Sequence, residues 1–280
     1  MAGEGRDVTG KGRDVAADAM SDAGIRYEKD GPIVRVTIDR PQVLNALNRA
    51  AHDALSDAWD LVRDDPEVRV AILTGAGPRA FCAGADMKAA EEASGIDYLA
   101  QALPLGAGGL SLRRDLLKPV IAAVNGLAIG GGFELALACD LIVAAEHAEF
   151  GFPEPRVGRM AMDGGIAMLA RQIPLKLAMG LLLTGRRLGA AAAHAAGIVN
   201  EVVPASELTA AADRWAADVV ACAPLSVEAT KQLALAAQDL PPWAAARWFP
   251  RRALDALASE DAQEGVRAFR EKRAPRWRGR

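Results

Sequence analysis

The sequence predicts an α/β fold in which short strands alternate with helices and a helical region follows. Three observations support this class. Runs of β-branched residues alternate with helical segments between residues 25 and 204, the pattern is helical after Pro204, and 51% of the 280 residues are hydrophobic while 25% are charged. Such alternation favours a sheet covered by helices, and this composition is ordinary for a packed globular protein. We therefore predict a flexible leader (1–24), an α/β core (25–204) and a C-terminal helical region (205–280).

The first elements follow from hydrophobic periodicity. Two short strands between residues 25 and 39 meet at Asp30-Gly31, a dipeptide that is typical of tight hairpin turns. Apolar residues recur at helical spacing over residues 48–63, and Pro66 follows the end of that helix. A buried strand is expected at residues 68–74.

The alternation continues to residue 204. Strands are expected at residues 119–124, 141–144 and 198–203, and helices at residues 132–138, 163–171 and 175–183. Residues 89–117 lack clear periodicity and contain several glycines, which indicates a loop or short helices near a site. After Pro204 the pattern is helical to the end of the chain, and its large aromatic residues are expected to serve packing.

Charge and cysteine content argue against several functions. The net charge of −3 gives no general reason to expect nucleic-acid binding. The basic end, residues 273–280, is either a solvated tail or a contact to a ligand phosphate or a neighbouring subunit. The chain has three cysteines without metal-type spacing and no HExxH motif, so we expect no metal site, no disulfide framework and a reducing compartment.

Hydropathy gives no indication of a membrane segment. Residues 1–23 contain no apolar run, and no stretch reaches the roughly 18 consecutive apolar residues of a spanning helix. We therefore expect a cytoplasmic protein that binds neither nucleic acid nor a membrane.

A first glycine-rich passage follows the strand at residues 68–74. Gly75-Ala76-Gly77, with Ala80 three residues later, fits a dinucleotide-binding pattern by its letters. That motif should open a helix, whereas Pro78 and residues 81–86 indicate a turn. Nucleotide binding is therefore disfavoured.

A second passage places three glycines, Gly130 to Gly132, between a strand and a helix. Glycine allows close approach of the backbone to a ligand, and a helix N-terminus offers free N–H groups; tight packing is the alternative role. A second turn at residues 83–86 has the same small residues. Two such turns can each direct one N–H at a developing oxyanion, and one such donor is worth roughly 2.7–4 kcal/mol. This arrangement suits a thioester carbonyl that becomes an enolate.

Two glutamates follow these turns. Glu134 lies just inside the helix after the glycines, where a positive helix end also favours an acid for electrostatic reasons alone. Glu154 lies between Pro153 and Pro155 in an apolar stretch, where partial burial raises a carboxyl pKa and lets the group donate as well as accept a proton. Two carboxyl groups beside one oxyanion site are typical of proton transfer next to a carbonyl.

These residues together resemble the crotonase (enoyl-CoA hydratase/isomerase) superfamily. The resemblance covers about residues 26–280 and rests on residues 40–48, 81–88, 125–140, 150–154 and 183–185. It implies a spiral of ββα units with a C-terminal helical region, assembled as a homotrimer or homohexamer. It also implies an acyl-CoA substrate and no separate cofactor, because coenzyme A is part of the substrate.

The resemblance also implies roles for individual residues. The backbone N–H groups of Ala85 and Gly131 correspond to the oxyanion hole, and Glu134 and Glu154 to the two catalytic glutamates. The residues implied in binding the substrate and its CoA moiety are Ala46, Ala83, Asp86, Met87, Lys88, Gly130 and Met162.

The presence of both glutamates favours hydration of a trans-2-enoyl-CoA within this superfamily. One departure concerns residues 158–165, where Met162 and Asp163 replace small residues of the family pattern. Asp163, together with residues 183–187 and 259–265, gives some likeness to carnitinyl-CoA dehydratases. Capping of the next helix is the simpler role for Asp163. The alternatives are a carnitinyl-CoA dehydratase-like reaction, enoyl-CoA isomerisation or another crotonase reaction such as thioester hydrolysis, and a weakly active acyl-CoA-binding protein.

Overall fold

The structure, a computed structural model, describes residues 20–86 and 104–280. Most of the predicted leader, as well as Met87, Lys88 and the first part of the predicted loop, therefore lies outside the described residues. The division into three parts stays a prediction. Within the described ranges, no helix combines the length and the apolar character that crossing a membrane requires.

The described residues form two sheets that are covered by helices, which confirms the α/β class. The strands are β1 (Ile25–Asp30), β2 (Ile33–Ile38), β3 (Val70–Gly75), β4 (Ala80–Cys82), β5 (Val120–Val124), β6 (Leu127–Ile129), β7 (Leu141–Ala145), β8 (Glu149–Gly151), β9 (Arg187–Gly189) and β10 (Glu201–Val203). The α-helices are α1 (Arg49–Asp64), α2 (Gly131–Ala138), α3 (Gly165–Gln172), α4 (Leu175–Thr184), α5 (Ala190–Ala195), α6 (Leu208–Val220), α7 (Pro224–Ala237), α8 (Pro242–Ala245), α9 (Arg251–Ala258) and α10 (Glu260–Glu271).

The larger sheet has the strand order β1-β2-β3-β5-β7-β10. β1 and β2 form the predicted hairpin, in which Asp30 pairs with Ile33 and Gly31 takes the left-handed φ of 54° that the turn requires. The other neighbours in this sheet are parallel. β3 continues into the turn at Gly75 and then into β4 rather than a helix, which agrees with the rejection of a dinucleotide-binding motif.

Helices bury both faces of the larger sheet. Ala71 and Leu73 of β3 pack in the cluster that contains the inward face of α1, whereas Val70 and Ile72 pack against α6. Successive side chains of a strand point to opposite faces, so a strand covered on both sides reads as a continuous apolar run. α6, the first helix of the predicted C-terminal region, is therefore part of the packing of the core.

The smaller sheet has the order β4-β6-β8-β9, and each of its strands has three residues. β4, β6 and β8 are parallel, so their carboxyl ends lie at one edge of the sheet. Three residues are too few to show strand periodicity, and the sequence analysis accordingly missed this sheet.

Several predicted element bounds were wrong, including the following three. The helix expected from residue 163 begins at Gly165, because Gly164 has a φ of 104° that no helix accommodates. The strand expected at residues 198–203 is limited to Glu201–Val203, since the N–H groups of Ile198 and Val199 donate to the carbonyl of Ala193 at the end of α5. The helical pattern ends at Glu271 rather than at the end of the chain.

The basic end of the chain is not simply a solvated tail. Arg273 forms an ion pair with Glu264, and the N–H of Arg278 donates to Asp261 at 2.7 Å. The indole N–H of Trp277 donates to the carbonyl of Ala221 at the end of α6. These contacts hold the segment against α10 and the end of α6.

Candidate active site

A cavity of about 230 Å³ lies at the edge where the carboxyl ends of β4, β6 and β8 meet. Residues 83–85 follow β4, residues 129–131 end β6 and begin α2, and Glu154 follows β8; all of them line the cavity, as does Glu134 of α2. The parallel arrangement of these strands therefore brings together the two turns and the two glutamates that the sequence analysis singled out.

The two turns are in close contact because both contain glycine. A Cβ atom built on Gly84 lies 2.9 Å from the carbonyl oxygen of Ile129 and 3.1 Å from the nitrogen of Gly131, distances that a side chain does not tolerate. The first turn is held by Leu47, whose N–H donates to the Gly84 carbonyl and whose carbonyl accepts from the Asp86 N–H. Among the described residues, the N–H groups of Ala85 and Gly131 have no hydrogen-bond acceptor. Two unused backbone donors thus stand on the wall of one cavity.

Glu134 is almost completely buried, with 2% of its surface exposed. Its Oε1 accepts a hydrogen bond of 2.9 Å from the Gly165 N–H. A Cβ atom on Gly165 lies 2.7 Å from Cγ of Glu134 and 2.6 Å from Cζ of Phe152, so only glycine permits this approach. Burial raises the pKa of Glu134 to about 7, and the negative charges of Asp163 and Glu154 act in the same direction.

Glu154 approaches the glycine turn at Gly130. A Cβ atom on Gly130 lies 2.8 Å from Oε1 of Glu154, and Gly130 has a φ of 57°. Oε2 of Glu154 is buried and has no hydrogen-bond partner among the described residues. Burial raises the pKa of this carboxyl group because the charged form loses its hydration. A buried acceptor without a partner is uncommon and is typical of a group that serves a ligand.

Comparison with known proteins identifies the relatives of this site. Residues 28–280 match the family model described as Enoyl-CoA hydratase/isomerase. The chain belongs to the enoyl-CoA hydratase/isomerase family. The resemblance to the crotonase superfamily is thereby confirmed, and the protein is a crotonase-family enzyme of the hydratase/dehydratase type.

Similar proteins in this family are named either carnitinyl-CoA dehydratase or enoyl-CoA hydratase. A carnitinyl-CoA dehydratase of Salmonella typhi is 45% identical over 260 residues, which cover 91% of this chain and 98% of the relative. An enoyl-CoA hydratase of Mycobacterium tuberculosis H37Rv has a solved structure with a TM-score of 0.85 and 39% identity, covering 92% of this chain and 100% of that one. The enoyl-CoA hydratase of Bacillus anthracis superposes with a TM-score of 0.86 at 32% identity and the same two shares. These structures confirm the crotonase-like fold.

The other predicted site residues of this crotonase-family enzyme are placed as follows. Ala83, Gly130 and Met162 line the cavity. Ala46 is buried next to the lining residue Leu47, and its carbonyl accepts from the guanidinium of Arg40. The same guanidinium lies 3.5 Å from Asp86, so Arg40 joins two segments that are predicted to bind CoA. Met87 and Lys88 fall outside the described ranges.

The expectation that Asp163 caps α3 is wrong. Gly164 occupies the N-cap position and provides no side-chain hydrogen bond, and the first helical N–H, that of Gly165, donates to Glu134 instead. The carboxyl group that accepts the hydrogen bond at the start of α3 is therefore that of Glu134, one of the two predicted catalytic glutamates. Asp163 itself lines the cavity beside it.

His52 of α1 also lines the cavity, and it was not among the site residues predicted from the sequence. Its Nδ1 accepts a hydrogen bond of 3.0 Å from the Gly108 N–H, so a neutral ring carries its proton on Nε2. Burial lowers the pKa of His52 to about 4. Its spacing of three from Leu55 and seven from Trp59, both buried, was the signal that it faces inward.

Proposed function

We propose that this enzyme adds water across the C2–C3 double bond of a trans-2-enoyl-CoA thioester. The observation that supports it best is the convergence of two unused backbone N–H groups, on Ala85 and Gly131, with two buried carboxyl groups, on Glu134 and Glu154, in one cavity. Conjugate addition of water to a thioester develops charge on the carbonyl oxygen and needs one base and one acid. The cavity offers groups for all three tasks.

The proposed reaction divides these tasks among four groups. The N–H groups of Ala85 and Gly131 hold the thioester oxygen as it becomes an enolate oxygen. Glu134, in its ionised form, orients a water molecule and takes its proton as the oxygen attacks C3. Glu154, in its protonated form, gives a proton to C2. The pair therefore starts with one proton, ends with one proton, and exchanges it with solvent between turnovers.

The raised pKa values support a proton that is shared by the two glutamates. A pKa of about 7 for Glu134 and a raised pKa for Glu154 allow the pair to hold a single proton below neutrality. Coenzyme A enters as part of the substrate, with Ala46, Ala83, Asp86, Met87 and Lys88 proposed along its path, and the reaction needs no separate cofactor or metal.

Dehydration of a carnitinyl-CoA thioester is a second candidate, which the Salmonella relatives favour. The same acid and base would remove water from a 3-hydroxyacyl group, and Met162 and Asp163 line the part of the cavity that departs from the family pattern. Double-bond isomerisation and thioester hydrolysis are further alternatives, as is an acyl-CoA-binding protein with weak chemistry.

We also propose that the enzyme is a cytoplasmic homotrimer or homohexamer. Its cysteines are free thiols, which fits a reducing compartment. Large apolar side chains are exposed on α4 and on the C-terminal helices, including Leu183 at 67%, Leu257 at 71% and Phe269 at 85%. Exposed apolar groups on several elements favour an interface between subunits. Light scattering on the eluting protein is expected to give three or six times the mass of the chain, and a monomer would contradict this assembly.

Turnover assays separate the candidates. We expect loss of the enoyl absorbance of crotonyl-CoA and formation of 3-hydroxybutyryl-CoA. Faster turnover of carnitinyl-CoA than of 3-hydroxybutyryl-CoA in the dehydration direction would favour the second candidate. Formation of a shifted double bond or of free coenzyme A would favour isomerisation or hydrolysis. Binding of CoA without turnover of any of these substrates would favour an acyl-CoA-binding protein.

A further inference from the structure

Ser111 connects two segments that line the active-site cavity. Its hydroxyl oxygen accepts a hydrogen bond of 2.8 Å from the Ala107 N–H, and its O–H donates to the Asp163 carbonyl at 2.5 Å. Ala107 and Asp163 both line the cavity, whereas Ser111 does not. The hydroxyl therefore acts behind the wall of the site.

The turn at residues 163–165 is held from two sides. On one side the Asp163 carbonyl accepts from Ser111. On the other side the Gly165 N–H donates to Oε1 of Glu134 at 2.9 Å, and a backbone hydrogen bond from Asp163 also stabilises the Glu134 carboxylate. Gly164 and Gly165 give this turn little conformational restraint of its own, because glycine occupies most backbone conformations with little penalty.

Ser111 is itself anchored to a rigid element. It follows the short helical turn Ala107–Gly109, whose Gly108 is bonded twice to α1: its N–H donates to Nδ1 of His52 at 3.0 Å, and its carbonyl accepts from the indole N–H of Trp59 at 2.8 Å. Trp59 is fully buried. A chain of hydrogen bonds thus runs from the core face of α1 to the Asp163 carbonyl.

We propose that Ser111 is a positioning residue for Glu134: by holding the Asp163 carbonyl, it keeps the backbone N–H groups of Asp163 and Gly165 on the Glu134 carboxylate and so fixes the base for attack on C3. Ser111 acts through this turn and touches neither Glu134 nor the cavity. This inference rests on the proposed hydration for its kinetic readout, but the hydrogen-bond chain itself does not depend on the reaction.

The direction of the effect follows from the donors. Their hydrogen bonds favour the ionised form of Glu134 and lower its pKa against the effect of burial. Loss of Ser111 frees the turn, weakens these bonds and raises the pKa further. Among the described residues, the other charged or titratable groups that face the same cavity are Glu154, Asp163, His52 and Arg159. Asp163 lies on the turn itself, and its charge also raises the pKa of Glu134, so a movement of this charge has to be separated from the loss of the hydrogen bonds.

Ser111→Thr and Ser111→Val form the matched pair, because they have the same shape and only threonine keeps the hydroxyl. With crotonyl-CoA we expect the upper limb of the kcat/KM pH profile to move to higher pH by about one unit in the valine variant, with about tenfold lower activity at the optimum. The threonine variant should keep the wild-type limb. The Ser111→Val change should give the same shift in an Asp163→Asn background.

A direct titration of the Glu134 carboxyl group tests this chain of hydrogen bonds without any substrate. In protein labelled with ¹³C at the glutamate carboxyl carbon, the Glu134 signal is the one missing from Glu134→Gln. We expect its midpoint to rise in Ser111→Val and to stay in Ser111→Thr, even if crotonyl-CoA is not hydrated and the proposed function fails. An unchanged Glu134 midpoint in a folded Ser111→Val variant would overturn the proposal. So would a midpoint shift that Ser111→Val causes when Asp163 is present but not when Asp163 is replaced by asparagine. If valine prevents folding, Ser111→Ala takes its place with the same expectations.

Discussion

Oε1 of Glu134 accepts a hydrogen bond of 2.9 Å from the backbone N–H of Gly165, 31 residues further along the chain. This bond places the carboxylate of one helix at the N-terminus of the next, where free N–H groups favour a negative charge. Burial opposes that charge and keeps the pKa of Glu134 near 7. The balance between the two effects makes this carboxyl group able to exchange a proton near neutral pH.

Glu154→Gln is expected to reduce kcat for crotonyl-CoA by about 10²- to 10⁴-fold, the usual contribution of a general acid. Oε2 of the buried Glu154 carboxyl has no hydrogen-bond partner among the described residues, so an amide NH2 group at that position breaks no hydrogen bond there, and the amide oxygen remains an acceptor. Because burial also raises the pKa of Glu154, loss of its charge does not destabilise the fold, and we expect a melting temperature at least as high as that of the wild type and unchanged affinity for CoA. Steady-state kinetics, thermal denaturation and calorimetric titration with CoA measure the three quantities. Wild-type activity in this variant would remove Glu154 from the mechanism.

The pH profile of kcat/KM is expected to be bell-shaped, because hydration needs one proton on the glutamate pair. The upper midpoint, where the pair loses its last proton, should lie near 7, and the lower one, where the pair takes up a second proton, should lie above the range of an exposed glutamate because burial raises both carboxyl pKa values. In Glu154→Gln only Glu134 must be ionised, so its residual activity should rise with pH through about 7. A residual activity that still falls there would contradict the assignment of Glu134 as base.

Glu134→Gln is expected to stabilise the protein at alkaline pH. The folded-state pKa of Glu134 is raised from 4.5 to about 7, so the favourable neutral form is fully present below pH 4.5 and its contribution is lost as the pH rises through 7. The stability gain of the variant should therefore grow from pH 4.5 and reach about 3 kcal/mol at pH 8.

Chemical denaturation at several pH values measures this gain. The control is Glu207→Gln, which removes a carboxyl group that is exposed on the surface. A gain that is the same at pH 4.5 and pH 8 would show that burial does not raise the pKa of Glu134.

Gly130→Ala is expected to damage both the site and the fold. Its Cβ atom would lie 2.8 Å from Oε1 of Glu154, and the φ of 57° is unfavourable for alanine. We expect a loss of about 1–3 kcal/mol in the free energy of unfolding and about 10²-fold in kcat/KM from a displaced Glu154.

Gly180→Ala in α4 is the matched control for this change. Apart from its own helix backbone, no atom of the described residues lies within 4 Å of its Cβ position, and alanine is the better helix former, so we expect a gain of up to about 1 kcal/mol and unchanged kcat/KM. Steady-state kinetics and chemical denaturation of both variants measure kcat/KM and the free energy of unfolding. Wild-type kinetics in Gly130→Ala would exclude a tight fit between this turn and Glu154.

Long periodic elements were predictable, and short ones were not. α1 shows its buried face over 16 residues, and its N-cap residue Asn48 accepts a hydrogen bond from the Ala51 N–H, so the sequence indicates both its existence and its start. The three-residue strands β4, β6 and β8 carry no periodic signal, yet they position both turns and Glu154. The role of Asp163 was wrongly predicted, because a carboxylate from another helix took the place of a local cap.

Local conformational preferences and residue chemistry were enough to predict the alternation of strands and helices and the two glycine turns, and to single out Glu134 and Glu154. They could not predict the contact of the two turns at Gly84 and Gly131, the hydrogen bond from Gly165 to Glu134, or the hydrogen bonds that Ser111 and His52 make beside the cavity. Those contacts join segments that are far apart in the chain, and parallel strand pairing brings the segments together. That pairing sets which backbone donors meet which carboxyl group, and thereby how the glutamates hold their protons.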